Sequence, residues 1–309
     1  MILTVTLNTA LDITYRVPSL RPHAEHRVSE VVERPGGKGV NVARVLAALG
    51  YAVTVTGFAG GPTGQVLRER LADTPGITDA LVPVAGPTRR TIAVVDQRVG
   101  DTTQLNEPGP HIDPAEWAAF LRAYDTLLAD ASAVALCGSL PPGVPVGAYA
   151  GLIRVARTAG VPVLLDTGGE PLRRGIAARP DIVKPNAAEL AELTGSHEPA
   201  RATRDARRRG AQAVVASLGA EGLLAATPEG HWRAAPPARL RGNPTGAGDA
   251  AVAGLLSGLV DGLAWPARLT RATALSAAAV LAPTAGEFDP ADYTRLLMAA
   301  TVTDEESAA

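Results

Sequence analysis

Residues 243–250 read Asn243-Pro244-Thr245-Gly246-Ala247-Gly248-Asp249-Ala250, and an apolar run over residues 251–263 follows without a break. Small residues before an Asp, with a helical pattern that starts at that Asp, let successive backbone N–H groups converge at a helix N-terminus. The stretch therefore predicts an anion site with a carboxylate beside it. Such a pair suits a hydroxyl that must lose a proton while it attacks a phosphoryl group. The alternative is an Asp that only caps a helix after a glycine-rich turn.

Composition bounds the class of protein. A chain of 309 residues with 46% hydrophobic and 19% charged residues is expected to bury on the order of 75% of its unfolded surface. Its net charge of −2 provides no basic field for nucleic acid or an anionic membrane. The one cysteine, Cys137, excludes an internal disulfide and a cysteine-rich metal cluster. No secretory leader and no apolar run of ~20 residues is present, so we expect a cytoplasmic protein without nucleic-acid or membrane partners.

Short β-like runs alternate with helical runs along the chain. This order predicts an α/β protein with a doubly wound, mainly parallel sheet flanked by helices. The predicted strands are residues 2–7, 53–56, 133–137, 161–166, 182–184 and 213–217. The predicted helices are residues 39–49, 114–130, 146–158, 250–263 and 267–281, and one that begins at Ala187. Asn186 before that helix and Glu189 at its third position have the form of a capping box.

Two regions break the alternation, at about residues 12–34 and 88–106, because their β-like runs have no helix between them. They predict a small, discontinuous antiparallel β lid on a single domain that spans residues 1–309. Such an appendage usually covers a site or forms an interface. An edge hairpin without a role is the alternative. The polar, acidic end, residues 302–309, is expected to be a disordered tail.

A second glycine-rich stretch, residues 34–43, reads Arg34-Pro35-Gly36-Gly37-Lys38-Gly39-Val40-Asn41-Val42-Ala43. It lacks the order of a Walker P-loop, and it follows the predicted lid rather than a core strand, which disfavours a dinucleotide fingerprint. Its glycines would let a substrate approach the backbone, while Lys38 and Asn41 offer a cation and an amide. A helix-starting turn with a solvated Lys is the alternative. Ser139 follows the predicted strand 133–137, at the end where open α/β sheets bind ligands.

Five motifs occur in the order and spacing of the ribokinase-like (PfkB) carbohydrate kinases, which the chain resembles over nearly its whole length. The resemblance is narrower to the branch that contains 1-phosphofructokinase, tagatose-6-phosphate kinase and the minor bacterial 6-phosphofructokinase. The motifs are residues 36–43, residues 138–143, residues 183–186 with Glu189 and Leu190, residues 217–222, and residues 245–249. Together they are far more specific than any one of them.

The resemblance implies a kinase that uses ATP and Mg²⁺. Asp249 would be the catalytic base, and the amides of Gly246, Ala247 and Gly248 would stabilise charge on the transferring phosphoryl group. Asn186 and Glu189 match the positions that hold Mg²⁺, often through water. The positions that match nucleotide-binding residues of the family are Lys184, Asn186, Ser217, Gly219, Gly222 and Thr245.

On the sugar side, the resemblance implies that Lys38 and Arg89 meet a phosphate already carried by the substrate, and that Asp12 and Asn41 bind sugar hydroxyls. The substrate-binding positions are Asp12, Arg27, Gly36, Gly37, Lys38, Asn41, Arg89 and Ser139. Arg27 matches a lid residue that reaches a neighbouring subunit in some relatives, which implies a homodimer through the lid. A solvent-facing strand Arg is the alternative.

A ketohexose monophosphate is therefore the expected substrate, with fructose 1-phosphate first and tagatose 6-phosphate or fructose 6-phosphate next. Three departures from the branch leave this choice open: Ala250 replaces a common Ser, Thr245 replaces a Val frequent in 1-phosphofructokinases, and residues 102–110 are closer to tagatose-phosphate kinases. Two other functional classes compete with this one. A non-catalytic sugar-phosphate sensor is disfavoured because Asp249 and its glycine-rich turn are both present. A dinucleotide oxidoreductase would need G-x-G-x-x-G after the first strand, and that motif is absent.

Overall fold

The computed structural model describes residues 1–305, which form two β-sheets flanked by ten α-helices. The strands are β1 (Ile2–Thr6), β2 (Ala10–Val17), β3 (Glu30–Gly36), β4 (Val53–Gly60), β5 (Ile77–Asp79), β6 (Val82–Val84), β7 (Arg89–Asp96), β8 (Thr102–Asn106), β9 (Ala133–Cys137), β10 (Val163–Asp166), β11 (Ile182–Val183), β12 (Ala213–Ser217), β13 (Leu223–Thr227), β14 (Gly230–Ala235) and β15 (Thr301–Asp304). The helices are α1 (Lys38–Ala48), α2 (Gly61–Ala72), α3 (Pro114–Leu128), α4 (Ala148–Thr158), α5 (Gly169–Ala177), α6 (Ala187–Thr194), α7 (Pro199–Arg208), α8 (Ala247–Val260), α9 (Trp265–Leu281) and α10 (Pro290–Ala299).

The main sheet has the order β15-β14-β13-β12-β11-β10-β9-β1-β4-β5, and β6 pairs with β4. All pairs from β12 to β5 are parallel, whereas β12 to β15 pair antiparallel. The predicted doubly wound, mainly parallel sheet is therefore confirmed. No helix among residues 1–305 is long and apolar enough to cross a bilayer.

Both faces of this sheet are covered, because successive side chains of a strand point to opposite sides. In β9, Ala133 and Ala135 belong to the core beneath α1, α8 and α9, while Val134 and Leu136 belong to the core beneath α3 to α7. Helix α8 is largely enclosed, and every residue from Asp249 to Gly258 is buried. Its glycines permit close packing, since a Cβ on Gly254 would lie 2.5 Å from the Cα of Ala272 in α9.

Helix α8 begins earlier than the sequence predicted. The predicted helix covers residues 250–263, whereas α8 runs from Ala247 to Val260 with Gly246 at its N-cap. Asp249 therefore lies in the first turn and does not cap the helix, so the alternative role as a cap is wrong. The spacing of apolar residues did not reveal the start of α8, because Ala247 and Gly248 are only weakly hydrophobic.

The lid is a separate four-stranded sheet with the order β3-β2-β7-β8. Strands β2 and β3 pair antiparallel, as do β7 and β8. The central pair is parallel, from Ala10 opposite Arg89 to Val17 opposite Asp96. This differs from the purely antiparallel lid that the sequence predicted. Strands β2 and β7 both follow strands of the parallel main sheet, β1 and β6, and so leave it in the same direction.

The end of the described chain corrects a second prediction. A disordered tail was expected from residue 302, but residues 301–304 form β15, with Val302 opposite Ala234 of β14. The side chain of Arg233 also donates to the carboxylate of Glu305 at 3.2 Å. Backbone pairing and this ion pair order a segment whose polar composition gave no such signal. The remainder of the predicted tail, residues 306–309, lies outside the described residues.

Candidate active site

The turn before α8 has the conformation that an anion site requires. Gly246 has φ 84°, and a Cβ at this position would lie 2.7 Å from the Cβ of Ala285, so only glycine fits. The first amides of a helix have no intrahelical acceptor. Ala247 N–H donates to the carbonyl of Pro244 at 3.2 Å, so this one of the three predicted amides is already engaged within the turn. Within residues 1–305, the amides of Gly246 and Gly248 have no backbone acceptor, and they remain available to a ligand.

Asp249 is buried directly behind these amides, with 7% of its surface exposed. The amide Nδ2 of Asn41 donates to its Oδ2 at 2.8 Å, so the predicted base and the predicted sugar ligand are brought together. Burial raises the pKa of Asp249 to about 6, and the nearby carboxylate of Asp166 adds to the rise, while Lys38 opposes it. A carboxylate with this pKa is ionised at neutral pH and is a better proton acceptor than an ordinary Asp.

Asp166 is a central residue that sequence reasoning missed. It ends β10 and is 1% exposed, and its Oδ1 lies 3.4 Å from Lys38 Nζ and 3.5 Å from Lys184 Nζ. Its Oδ2 is buried and has no hydrogen-bond partner among the described residues. The one available signal was its place at the carboxyl end of a predicted core strand, where α/β sheets bind ligands.

Lys38 begins α1 directly after Gly37, whose φ is 103°. Burial lowers the pKa of Lys38, but the carboxylates of Asp166, Asp249 and Glu189 together outweigh burial and raise it above its ordinary value. The side chain therefore carries a positive charge at all physiological pH values. Lys184 is buried beside the same oxygen of Asp166, and its Nζ lies 3.6 Å from the place that a Cβ on Gly248 would take. Both lysines thus lie close to the start of α8.

A second charged group lies where the lid joins the main sheet. Arg89 donates from Nε to the backbone carbonyl of Asn8 at 3.2 Å and from Nη1 to that of Glu107 at 3.3 Å. Burial raises the pKa of Asp12 to about 6, although Arg89 partly offsets the rise. Gly36, on the strand next to Asp12, leaves the room that this carboxylate occupies, because a Cβ at Gly36 would overlap it.

A cavity of about 930 Å³ opens beside the N-terminus of α8. This volume lies within the range of roughly 300–1,000 Å³ typical of ligand pockets. The predicted nucleotide-binding residues that line it are Asn186, Ser217, Gly219 and Gly222. Lys184 is buried beside Asp166 and does not line this cavity, and Thr245 lines a narrow cavity beneath the lid together with Asp12 and Asn41. Thr245 therefore lies on the side of the predicted sugar ligands.

A third cavity, of about 720 Å³, is lined by Lys38, Ser139 and Glu189. The predicted capping box is confirmed: Glu189 N donates to Asn186 Oδ1 at 2.9 Å, and Asn186 N donates to Glu189 Oε2 at 2.8 Å. The other oxygen of Glu189 lies over Gly168, where a Cβ would approach it to 3.1 Å. Both predicted metal ligands therefore have a structural role as well.

Arg27 is the one predicted site residue that the structure does not bring to the others. It lies exposed in the loop between β2 and β3 and lines none of the three cavities. Within one chain, it contributes nothing to the site.

Comparison with known proteins identifies what this geometry is similar to. The sequence pattern of the family described as pfkB family carbohydrate kinase matches residues 4–292. A 1-phosphofructokinase of Rhodobacter capsulatus is 41% identical over 290 residues, which cover 91% of this chain and 92% of that protein. A structure from Thermotoga maritima, described as a possible 1-phosphofructokinase, has a TM-score of 0.89 at 30% identity and covers 98% of this chain and 99% of its own. Phosphofructokinase-2 from Escherichia coli, in complex with substrates and products, has a TM-score of 0.88 at 29% identity, covering 96% and 98%.

The raised pKa of Asp249 has a consequence for stability. Because its pKa is 3.8 in an unfolded chain and about 6 in the fold, the folded state binds the proton more tightly between these values. Stability therefore falls as the pH rises from about 4 to about 6 and stays lower above that window. Asp249→Asn removes this penalty and keeps an acceptor for Asn41. We expect thermal unfolding to show a gain in midpoint for Asn over Asp that is larger at about pH 7.5 than at about pH 5. A gain of equal size at both pH values would contradict the raised pKa.

Proposed function

This chain belongs to the PfkB family of carbohydrate kinases, and from that premise we propose that it transfers the terminal phosphoryl group of ATP to fructose 1-phosphate, giving fructose 1,6-bisphosphate. The observation that carries the proposal is the buried Asp249 behind free amides at the start of α8, with two lysines beside it. The similarity to a 1-phosphofructokinase over 91% of the chain favours fructose 1-phosphate. Tagatose 6-phosphate and fructose 6-phosphate are the next candidates.

Phosphoryl transfer requires mainly the positioning of the reactants and the stabilisation of charge in the transition state. Asp249, ionised above about pH 6, accepts the proton of the attacking hydroxyl. Asn41 fixes the orientation of that carboxylate through its 2.8 Å hydrogen bond. The amides of Gly246 and Gly248 then face the charge that develops on the phosphoryl oxygens.

The cations of the site fall into two groups with different tasks. Lys38 and Lys184 share the carboxylate of Asp166 near the start of α8, whereas Arg89 has Asp12 and Glu107 as its charged neighbours. Because the charged groups that shift their pKa values differ, we assign Lys38 and Arg89 to different phosphates, in place of the shared phosphate that the resemblance implied. The two lysines stabilise the phosphoryl group in transit. Arg89 binds the phosphate already on the sugar, with the help of Ser139.

ATP is proposed to occupy the cavity of about 930 Å³ lined by Asn186, Ser217, Gly219 and Gly222. Gly248, at the start of α8, lines the same cavity. The terminal phosphate would then lie at the free amides. The sugar lies on the other side of Asp249, beneath the lid, where Asp12 and Asn41 line the narrow cavity.

The oxygen ligands near the phosphates fit Mg²⁺. No group of three His, Cys, Asp or Glu side chains suited to a metal occurs within residues 1–305, so an ion would be shared with the nucleotide. Glu189 has one carboxylate oxygen outside its capping bond, and the buried Oδ2 of Asp166 has no hydrogen-bond partner in the described chain. Hard oxygen donors with remaining waters are what Mg²⁺ prefers, and the ion would supply charge neutralisation on the phosphates.

The lid also suggests how two copies meet. Its register aligns Ile13 with Ile92 and Leu105 in one row, and Tyr15 with Val94 and Val31 in the next. The middle of this face is therefore apolar, with the polar residues Glu33 and Thr103 on its edge strands. Val31 is 56% exposed and Leu105 is 57% exposed. Exposed apolar patches of this kind mark interfaces, and we propose a homodimer in which this face of each lid packs against its partner.

A coupled kinase assay over a panel of acceptors tests the proposed activity. Fructose 1-phosphate, tagatose 6-phosphate, fructose 6-phosphate, fructose and ribose are compared with ATP and Mg²⁺ present. We expect the three phosphate esters to be preferred, with fructose 1-phosphate first, because Arg89 has no anion to bind on a neutral sugar. A preference of about tenfold or more in kcat/KM for an unphosphorylated sugar would contradict the proposal.

A matched pair of variants tests whether Lys38 and Arg89 bind different phosphates. Arg89→Ala should raise KM for fructose 1-phosphate by roughly 10- to 150-fold, because a charge-assisted contact to an anion is lost, and should leave kcat within about threefold. Lys38→Ala should mainly lower kcat, since its partner in the transition state is the phosphoryl group in transit. Steady-state kinetics with each substrate varied gives both values. If Lys38→Ala raises only the KM for the sugar phosphate, the two cations serve the same phosphate.

A further inference from the structure

Asn8 occupies the junction of four segments around the proposed phosphate subsite. It lies between β1 and β2 and is buried, with 6% of its surface exposed. Its amide nitrogen Nδ2 donates to the carbonyl of Pro108 at 3.1 Å and to Ser139 Oγ at 3.1 Å. Its own backbone carbonyl accepts from Arg89 Nε at 3.2 Å. One residue thus contacts Arg89 and Ser139, the two proposed ligands of the sugar phosphate, and the chain that leaves the lid.

The hydrogen-bond partners fix the orientation of this carboxamide. The carbonyl of Pro108 can only accept, so the NH₂ end of Asn8 must face it. The same nitrogen contacts Ser139, and the hydroxyl of Ser139 therefore accepts a hydrogen bond from Asn8. Its own hydrogen is left to donate elsewhere. Ser139 is exposed and lines the cavity that also contains Lys38, and it donates to no described residue.

We propose that Asn8 is a positioning residue of the phosphate subsite: by donating to Ser139 it directs the hydroxyl hydrogen of that residue toward the phosphate on the sugar. This inference rests on the proposed function and assigns a residue that the family motifs did not single out. Asn8 touches no substrate and acts only through Ser139 and Arg89. A hydroxyl whose oxygen is already engaged as an acceptor is a directed donor, and a donor suits a phosphate, which only accepts.

The other end of the carboxamide supports this reading. Oδ1 of Asn8 is buried and has no hydrogen-bond partner within residues 1–305. Gly109, with φ 97°, packs against it, and a Cβ at Gly109 would overlap the oxygen. An Asn with a purely structural role would be expected to satisfy both ends, because an unpaired buried acceptor is destabilising. Here the acceptor end is unpaired while the donor end reaches Pro108 and Ser139.

The test compares Asn8→Ala with the neighbouring control Thr9→Val. The hydroxyl of Thr9 donates to the carbonyl of Phe58 and not to Ser139 or Arg89, so its loss is a structural change at the next buried position. We expect Asn8→Ala to raise KM for fructose 1-phosphate by roughly 5- to 50-fold while KM for ATP changes by less than about threefold. Thr9→Val should lower the midpoint of thermal unfolding but should not raise KM for fructose 1-phosphate more than KM for ATP. If Asn8→Ala does not fold, Asn8→Leu, which has a similar volume and no donor, takes its place with the same expected result.

A double-mutant cycle with Ser139→Ala shows whether Asn8 acts through that hydroxyl. In the Ser139→Ala background, Asn8→Ala should raise KM for the sugar phosphate by less than about threefold more, since the hydroxyl that it orients is gone. Effects that multiply, or equal rises in KM for both substrates, would overturn the proposal. Calorimetric dissociation constants for fructose 1-phosphate provide a second readout. If the parent enzyme turns over no sugar phosphate, the proposed function is refuted. If the parent is active and Asn8→Ala does not raise KM for fructose 1-phosphate more than KM for ATP, only this inference is refuted.

Discussion

The shared ion pair of Asp166 with Lys38 and Lys184 is the interaction on which the site depends. A buried charge is costly unless it is paired, and removing one partner leaves the other uncompensated. Here one carboxylate oxygen of a 1% exposed Asp lies within 3.5 Å of both ammonium groups, and Asp249 adds a second negative charge nearby. The two ammonium groups are thereby held in place near the start of α8. They can interact with an incoming phosphoryl group without first moving into the site.

The fold brings these four residues together from separate elements. Asp166 ends β10, Lys184 follows β11, Lys38 begins α1, and Asp249 lies in the first turn of α8. In an open parallel sheet the carboxyl ends of neighbouring strands meet at one edge, and ligands bind there. The close packing of α8 against α9 at Gly254 fixes the depth of α8 beside that edge. The sheet therefore provides the carboxylate and lysine, and the helix provides the amides and the base.

Sequence reasoning was most reliable where the signal is local. The glycine-rich motifs gave Asp249, Asn41 and Lys38, and the structure brings these residues together. Asp166 and Asn8 were missed because the site depends on their contacts with Lys38 and Ser139, which are 128 and 131 residues away in the chain, and no short pattern reveals such contacts. Helix α7 was missed because its sequence is too polar to show apolar residues at helical spacing, although Ala202 and Ala206 are buried against the core. Strand β15 and the parallel β2–β7 pair depend on pairing with distant strands, which the alternation of elements does not encode.

The central claim is that Asp249 accepts the proton of the attacking hydroxyl, and the turnover of Asp249→Asn tests it most directly. This variant keeps the size of the side chain and its acceptor for Asn41 but cannot take up the proton. The account predicts that kcat falls by roughly 10²- to 10⁴-fold, while the calorimetric dissociation constants for ATP and fructose 1-phosphate change by less than about tenfold. A folded variant that binds both ligands and turns over within about threefold of the parent would contradict the account.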